Sequence, residues 1–264
     1  MVRDSEEFFF AHLQSTEVDL NRWRIRAKRP EPPERGSELQ LDDAGFAEHP
    51  ISEMARISLI SAGEHLRLAW TAIKAGQLYP IAHFTTLRSA LLAASQAVYI
   101  LGPEESEVRR ARGLAAVAES YKRSRQFHID TLRYPNITDS ERQSIDSQIA
   151  WLSERLDQTL QAGAGKPLNI SDAVIPYASK LVYERDKTLE LEVNLWWRRL
   201  SGDAHSLTWS MAQRTVFLAS KPGQILSEGV AGGSLEEVAQ PFEASYQILK
   251  RGWSLYDQRC EAPK

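Results

Sequence analysis

A chain of 264 residues, 42% hydrophobic and 25% charged, is long enough to bury a sizeable core and falls outside the disordered and fibrous classes. Its formal net charge of −3 and pI near 6.1 exclude a global pull toward nucleic acid or an anionic membrane, so any such binding needs a local basic patch. The single cysteine, Cys260, excludes an intramolecular disulfide and a cysteine-based zinc site. The N-terminus, MVRDSEEFFFAHLQ, puts acidic residues where a signal peptide carries a basic region, and no window reads as the roughly 18 apolar residues of a membrane span. The expectation is a cytoplasmic protein with no membrane segment and no cofactor.

In chain order, Ser5 to Trp23 reads as a short helix with Phe9, Leu13, Leu20 and Trp23 available for docking. From Arg22 to Pro50 the prolines and glycines break the periodicity and predict an extended connector, basic in its first half through Arg22, Arg24, Arg26, Lys28 and Arg29. Residues 1–50 are therefore an N-terminal arm, and residues 51–264 a helical domain. Ser52 opens a helix that ends near Gly76 to Pro80, and Ile81 to Leu101 follows as an almost wholly apolar helix whose one charged side chain is Arg88. An arginine there needs a carboxylate, such as Glu64 or Asp203, or a polar cavity. Pro103-Glu104-Glu105 starts a basic helix that continues to about Arg133. Thr138 to roughly Leu160 forms the next helix, followed by a short helix over Ser171 to Leu181 and a helix from about Tyr183 to Gly202. Trp209 to Ala219 is ambiguous between helix and strand, residues 220–234 read as a loop, and Ser234 with Glu237 forms a capping box for a last helix to Cys260. The fold class is all-α, an up-and-down helical bundle.

The stretch Leu191 to Arg214, LEVNLWWRRLSGDAHSLTWSMAQR, concentrates the capable side chains. Arg198 and Arg199 stand seven and six positions before His205, at or just beyond the end of a helix. A guanidinium neutralises a phosphate as charge accumulates on it, while an imidazole takes a proton from a ribose hydroxyl or gives one to the leaving oxygen. Trp196, Trp197 and Trp209 offer faces for an unpaired base. Asp203 is placed to orient His205, and Arg88 to support the phosphate. No metal is expected, because Glu64, His65, His83, His128 and His205 follow no ligand spacing, and no glycine-rich phosphate loop or nucleophile elbow is present.

An arginine followed a few residues later by a histidine near a helix terminus, here Arg199-Leu200-Ser201-Gly202-Asp203-Ala204-His205, resembles the motif of the HEPN superfamily of helical-bundle proteins. With Arg88-Ser89-Ala90 on a buried helix, the chain also resembles uncharacterised helical proteins of actinobacteria. The resemblance implies a metal-independent RNA endonuclease of a toxin or defence system, or a catalytically degenerate relative of one. It implies His205 and Arg199 or Arg198 as the catalytic residues, RNA as the partner, and a homodimer that brings two motifs together. Substrate contacts would fall to Arg88, Asp203, Trp209 and Trp197. Two alternatives stay open on the residues alone. His205 can instead cap the helix end, stabilised by the negative pole of the helix. The whole chain can be a non-catalytic helical binding or regulatory protein, with a dimer interface or a small-molecule pocket. An enzyme places the imidazole and a guanidinium at one open point, whereas a binder shows His205 buried and bonded beside an apolar cavity.

Overall fold

Helical periodicity runs through most of the chain, and its start and stop signals set where each helix lies. The computed structural model describes residues 2–79, 81–218, 229–231 and 234–263, without the side chains of 2–5, 230 and 231. Over these residues the protein is predominantly helical. The helices are α1 (Val2–Ser15), α2 (Glu17–Arg26), α3 (Glu38–Asp43), α4 (Ile51–Lys74), α5 (Ala82–Leu101), α6 (Ser106–Thr131), α7 (Asp139–Gln161), α8 (Ile175–Val182), α9 (Lys187–Ala204), α10 (Thr208–Ala212) and α11 (Leu235–Cys260). A π-helical turn, Ile170–Val174, leads into α8.

The caps explain the boundaries. Thr138 and Glu141 exchange side-chain and backbone bonds at the start of α7, and Ser234 and Glu237 do the same at the start of α11. Asp186 accepts from the backbone N–H groups of Thr188 and Leu189, which starts α9 a turn later than the expected Tyr183. Gly76, at φ +70°, ends α4 in a left-handed conformation that costs glycine little. Beyond α10 the chain forms strand β1 (Thr215–Phe217), paired antiparallel with β2 (Gly229–Ala231) so that Val216 opposes Val230. Such a short ribbon lacks the alternation that announces a strand. Of the stretch expected to be a loop, 220–228 and 232–233 lie outside the described residues.

The chain divides into two compact units, each assembled from separated segments. The first comprises Met1–Glu31, Ser58–Val98 and Ile170–Ser254. Its core includes Phe84, Leu87, Leu91, Ala94 and Val98 of α5, all without exposure. By length and composition α5 passes for a membrane span, contrary to the sequence expectation, but more than half of that window is buried inside the protein, as in a core helix. Gly252 of α11 admits Leu59 of α4 so closely that a Cβ there would stand 2.6 Å from Leu59 Cδ2.

The second unit comprises Pro32–Ile57, Tyr99–Asn169 and Leu255–Lys264. Val117, Tyr121 and Leu152 of α6 and α7 form an apolar cluster with Phe46, Met54 and Leu156. Beside it runs a buried ionic network that corrects two expectations. Arg109, one of the basic residues of the helix expected to run to about Arg133, is 2% exposed. Its Nε donates to Asp42 Oδ2 at 2.7 Å, and its Nη2 lies 2.9 Å from Glu38 Oε2. Arg259 also binds Glu38, and both arginines donate to the Pro103 carbonyl. The second half of the expected extended connector is therefore folded as α3, capped by Ser37, because its carboxylates are the partners of two buried guanidinium groups.

Candidate functional site

The site is built within the first unit by α5, α9 and the α10–β1 segment. Phe84 and Arg88 lie four residues apart, on one face of α5. Each takes a partner from the region after Leu191. The Arg214 guanidinium sits 4.1 Å from the Phe84 ring centre, and the Arg88 guanidinium 4.7 Å from that of Trp197.

Arg214 is the residue that sequence reading missed. Its Nη1 donates to Asp203 Oδ2 at 2.8 Å and its Nη2 to Asp203 Oδ1 at 2.7 Å, with side chains 1% and 0% exposed. This forked, buried pair ties the end of α9 to the segment after α10. A signal for it exists in the chain, since Arg214 is the only charged residue between His205 and Lys221. The pair corrects the role expected of Asp203. Residues two apart on a helix point about 200° apart, so Asp203 faces inward to Arg214 while His205 faces out.

His205 caps the C-terminus of α9 at φ −96° and ψ 8°, and its backbone N–H bonds the Ser201 carbonyl at 3.1 Å. Ser206 adopts φ 55°, and the bonds from Ser206 to Asp203 and from Leu207 to Gly202 complete a Schellman turn. A non-glycine residue in that conformation is strained and marks a turn held by its surroundings. The imidazole is exposed and makes no hydrogen bond to another described residue. Gly202 lets α10 close on α9, for a Cβ there would stand 2.8 Å from Trp209 Cζ2 and 2.9 Å from Ser210 Cβ.

The arginines differ in how they are matched. Arg199 Nη2 lies 3.6 Å from Glu237 Oε1, and its guanidinium 5.2 Å from the Trp196 ring centre. Burial pushes its pKa below the ordinary arginine value, with Arg214 adding to the shift and Glu237 and Asp203 opposing it. Arg198 is exposed, 3.7 Å from Asp172. Arg88 is half-buried, donates from Nε to Ser201 Oγ at 3.1 Å, and has no ion-pair partner among the described residues. Its pKa is lowered by burial alone. The partners expected for Arg88, Glu64 or Asp203, are thus replaced by a hydroxyl and a ring. Ser201, the hydroxyl that Arg88 bonds, lies four residues before His205 in the chain.

The tryptophans separate as adjacent helical residues must. Trp197 is buried and donates Nε1 to Ser171 Oγ at 2.9 Å, so it supports Arg88 and is closed to a base. Trp196 and Trp209, with Glu192, Leu195, Arg198, Arg199, Gln213 and Gln240, line an open cleft of about 440 Å³. Among the described residues, no group of three His, Cys, Asp or Glu side chains converges as a metal-ligand set. Compared with known proteins, the chain matches no family model, no curated protein and no solved structure.

Asp203→Asn should lower stability by about 3 kcal/mol, because it leaves the Arg214 guanidinium buried without its counter-charge. Urea unfolding followed by circular dichroism measures this, and a loss under about 1 kcal/mol would show that the pair does not hold the site.

Proposed function

We propose that the protein is a metal-independent endoribonuclease of HEPN type, in which Arg88 holds the scissile phosphate and His205 moves the proton. The observation that carries this is the Arg88 guanidinium, desolvated and without a carboxylate, set on Ser201 one turn before an exposed, unbonded imidazole. A half-buried cation lacking an anion gains from one that reaches it. His205 removes the proton of a ribose 2′-hydroxyl, the 2′-oxygen bonds to phosphorus, and the bond to the 5′-oxygen breaks. The proton passes to that leaving oxygen, giving a 2′,3′-cyclic phosphate and a 5′-hydroxyl. Arg198 and Arg199 contact flanking phosphates, and Trp196 and Trp209 stack on bases in the adjoining cleft. Arg199 is thereby moved from the scissile phosphate to its flank, because Glu237 already offsets its charge. The exposed imidazole supports this reading over the rival binding reading, for which a buried and bonded His205 is expected.

A homodimer belongs to the same proposal. Leu191 and Leu195 are 64% and 66% exposed one turn apart on α9, an apolar strip that a second copy would cover while bringing two motifs together.

In EDTA, the wild type should cleave a mixed panel of single-stranded and transfer RNAs to cyclic-phosphate ends. His205→Ala and Arg88→Gln should each lose about a hundredfold or more in rate with circular dichroism unchanged. A wild type that leaves every RNA intact overturns the catalytic reading. In sedimentation velocity the wild type should run as a dimer and Leu195→Glu as a monomer. A monomeric wild type removes the dimer from the account.

A further inference from the structure

A second cavity, of about 460 Å³, adjoins this cleft through Glu192, Trp196 and Gln240 and lies between α1, α9 and α11. Its walls are aromatic and apolar, with Phe8, Phe9, Tyr183 and Trp196 presenting ring surface to it. Its volume lies in the range of small-molecule sites, about 300–1,000 Å³. Its charged side chains are the carboxylates Glu192 and Glu243 and the imidazole of His12.

Glu243 is the informative residue. Its Oε1 accepts from Gln247 Nε2 at 2.6 Å. Its Oε2 is a buried atom that accepts no hydrogen bond, although His12 Nε2 stands 2.9 Å away without the direction of one. A carboxylate oxygen that takes no directed hydrogen bond, with only the His12 imidazole beside it, keeps acceptor capacity for a cation or donor entering the cavity. The charge of Glu243 also reaches Tyr183, whose hydroxyl is pushed up from its ordinary pKa first by burial and then by that carboxylate. The phenol therefore stays neutral, and the ring keeps its full attraction for a positive charge.

We infer that this cavity is a binding site for an organic cation with an apolar body, its ammonium group set between Glu243, Glu192 and the aromatic rings and its hydrocarbon portion against Val193 and Ala239. Aromatic faces combined with carboxylates select quaternary and alkylated ammonium groups over neutral or anionic molecules of the same shape. The inference shares Trp196 and Glu192 with the neighbouring cleft but uses none of the residues assigned to phosphate binding or proton transfer, so cation binding is tested separately from RNA cleavage.

The full chain titrated with octyltrimethylammonium below its micelle-forming concentration, by calorimetry and tryptophan fluorescence, should show saturable one-to-one binding. Octanol and octyl sulfate should bind at least about tenfold more weakly. Glu243→Gln should remove most of that preference. Because Glu243 is partly buried, the exposed Glu192→Gln serves as a second variant that leaves the fold intact, and it should weaken the cation by a smaller factor. Absence of saturable cation binding by the wild type overturns the inference, as does equal affinity for the sulfate or an unchanged preference in folded Glu243→Gln.

Discussion

Everything proposed for the α9 region depends on one buried ion pair. Asp203 and Arg214 are both out of water, an arrangement that costs several kcal/mol per ion before any attraction is counted. Two parallel bonds of 2.7 and 2.8 Å, with the Phe84 ring over the guanidinium, offset that cost. What the pair secures is position. It fixes the last turn of α9 against the segment after α10, and between those two anchors the chain has to turn through a left-handed Ser206. That turn leaves His205 facing solvent and lays Trp209 over Gly202. The exposed pair between Arg198 and Asp172 does nothing comparable, because at 3.7 Å in water it contributes little.

The guanidinium groups of the region fall into a physical order. Arg214 is neutralised fully and serves structure. Arg199 is offset in part by Glu237, and Arg198 stands in water. Arg88 alone of these four is desolvated without a carboxylate, held by a hydroxyl and an indole ring. Because interactions with charge strengthen as water is removed, it is the group with most to gain from a phosphate. The two cavities adjoin and share Glu192, Trp196 and Gln240, but one adds the guanidinium groups of Arg198 and Arg199, and the other adds Glu243 and the rings of Phe8, Phe9 and Tyr183.

How much of this the sequence shows depends on the range of the interactions. Local signals carry through: Thr138 with Glu141, Ser234 with Glu237, and Gly76 each mark a helix boundary that the structure places within a residue or two. Long-range ion pairs do not. Nothing near Asp42 announces that Arg109 will bury it, so a Pro-rich stretch reads as a solvated connector although it contains α3. The inward turn of Asp203 was available from helical phase, since a residue two positions from His205 cannot share its face. The assignment of Trp197 to the substrate shows the reverse limit. Phase separates it from Trp196, but only packing decides which of the two meets solvent.

The claim at the centre of the account is that Arg88 binds a phosphate. The most direct test is the affinity of a short 2′-deoxy-substituted, uncleavable single strand measured over a range of salt concentrations, for the wild type and for Arg88→Gln. If Arg88 contacts one phosphate, the substitution should weaken binding and make the slope of log affinity against log salt shallower by about 0.7. Unchanged affinity and an unchanged slope would contradict the account, leaving Arg88 as a structural partner of Trp197 and Ser201 only.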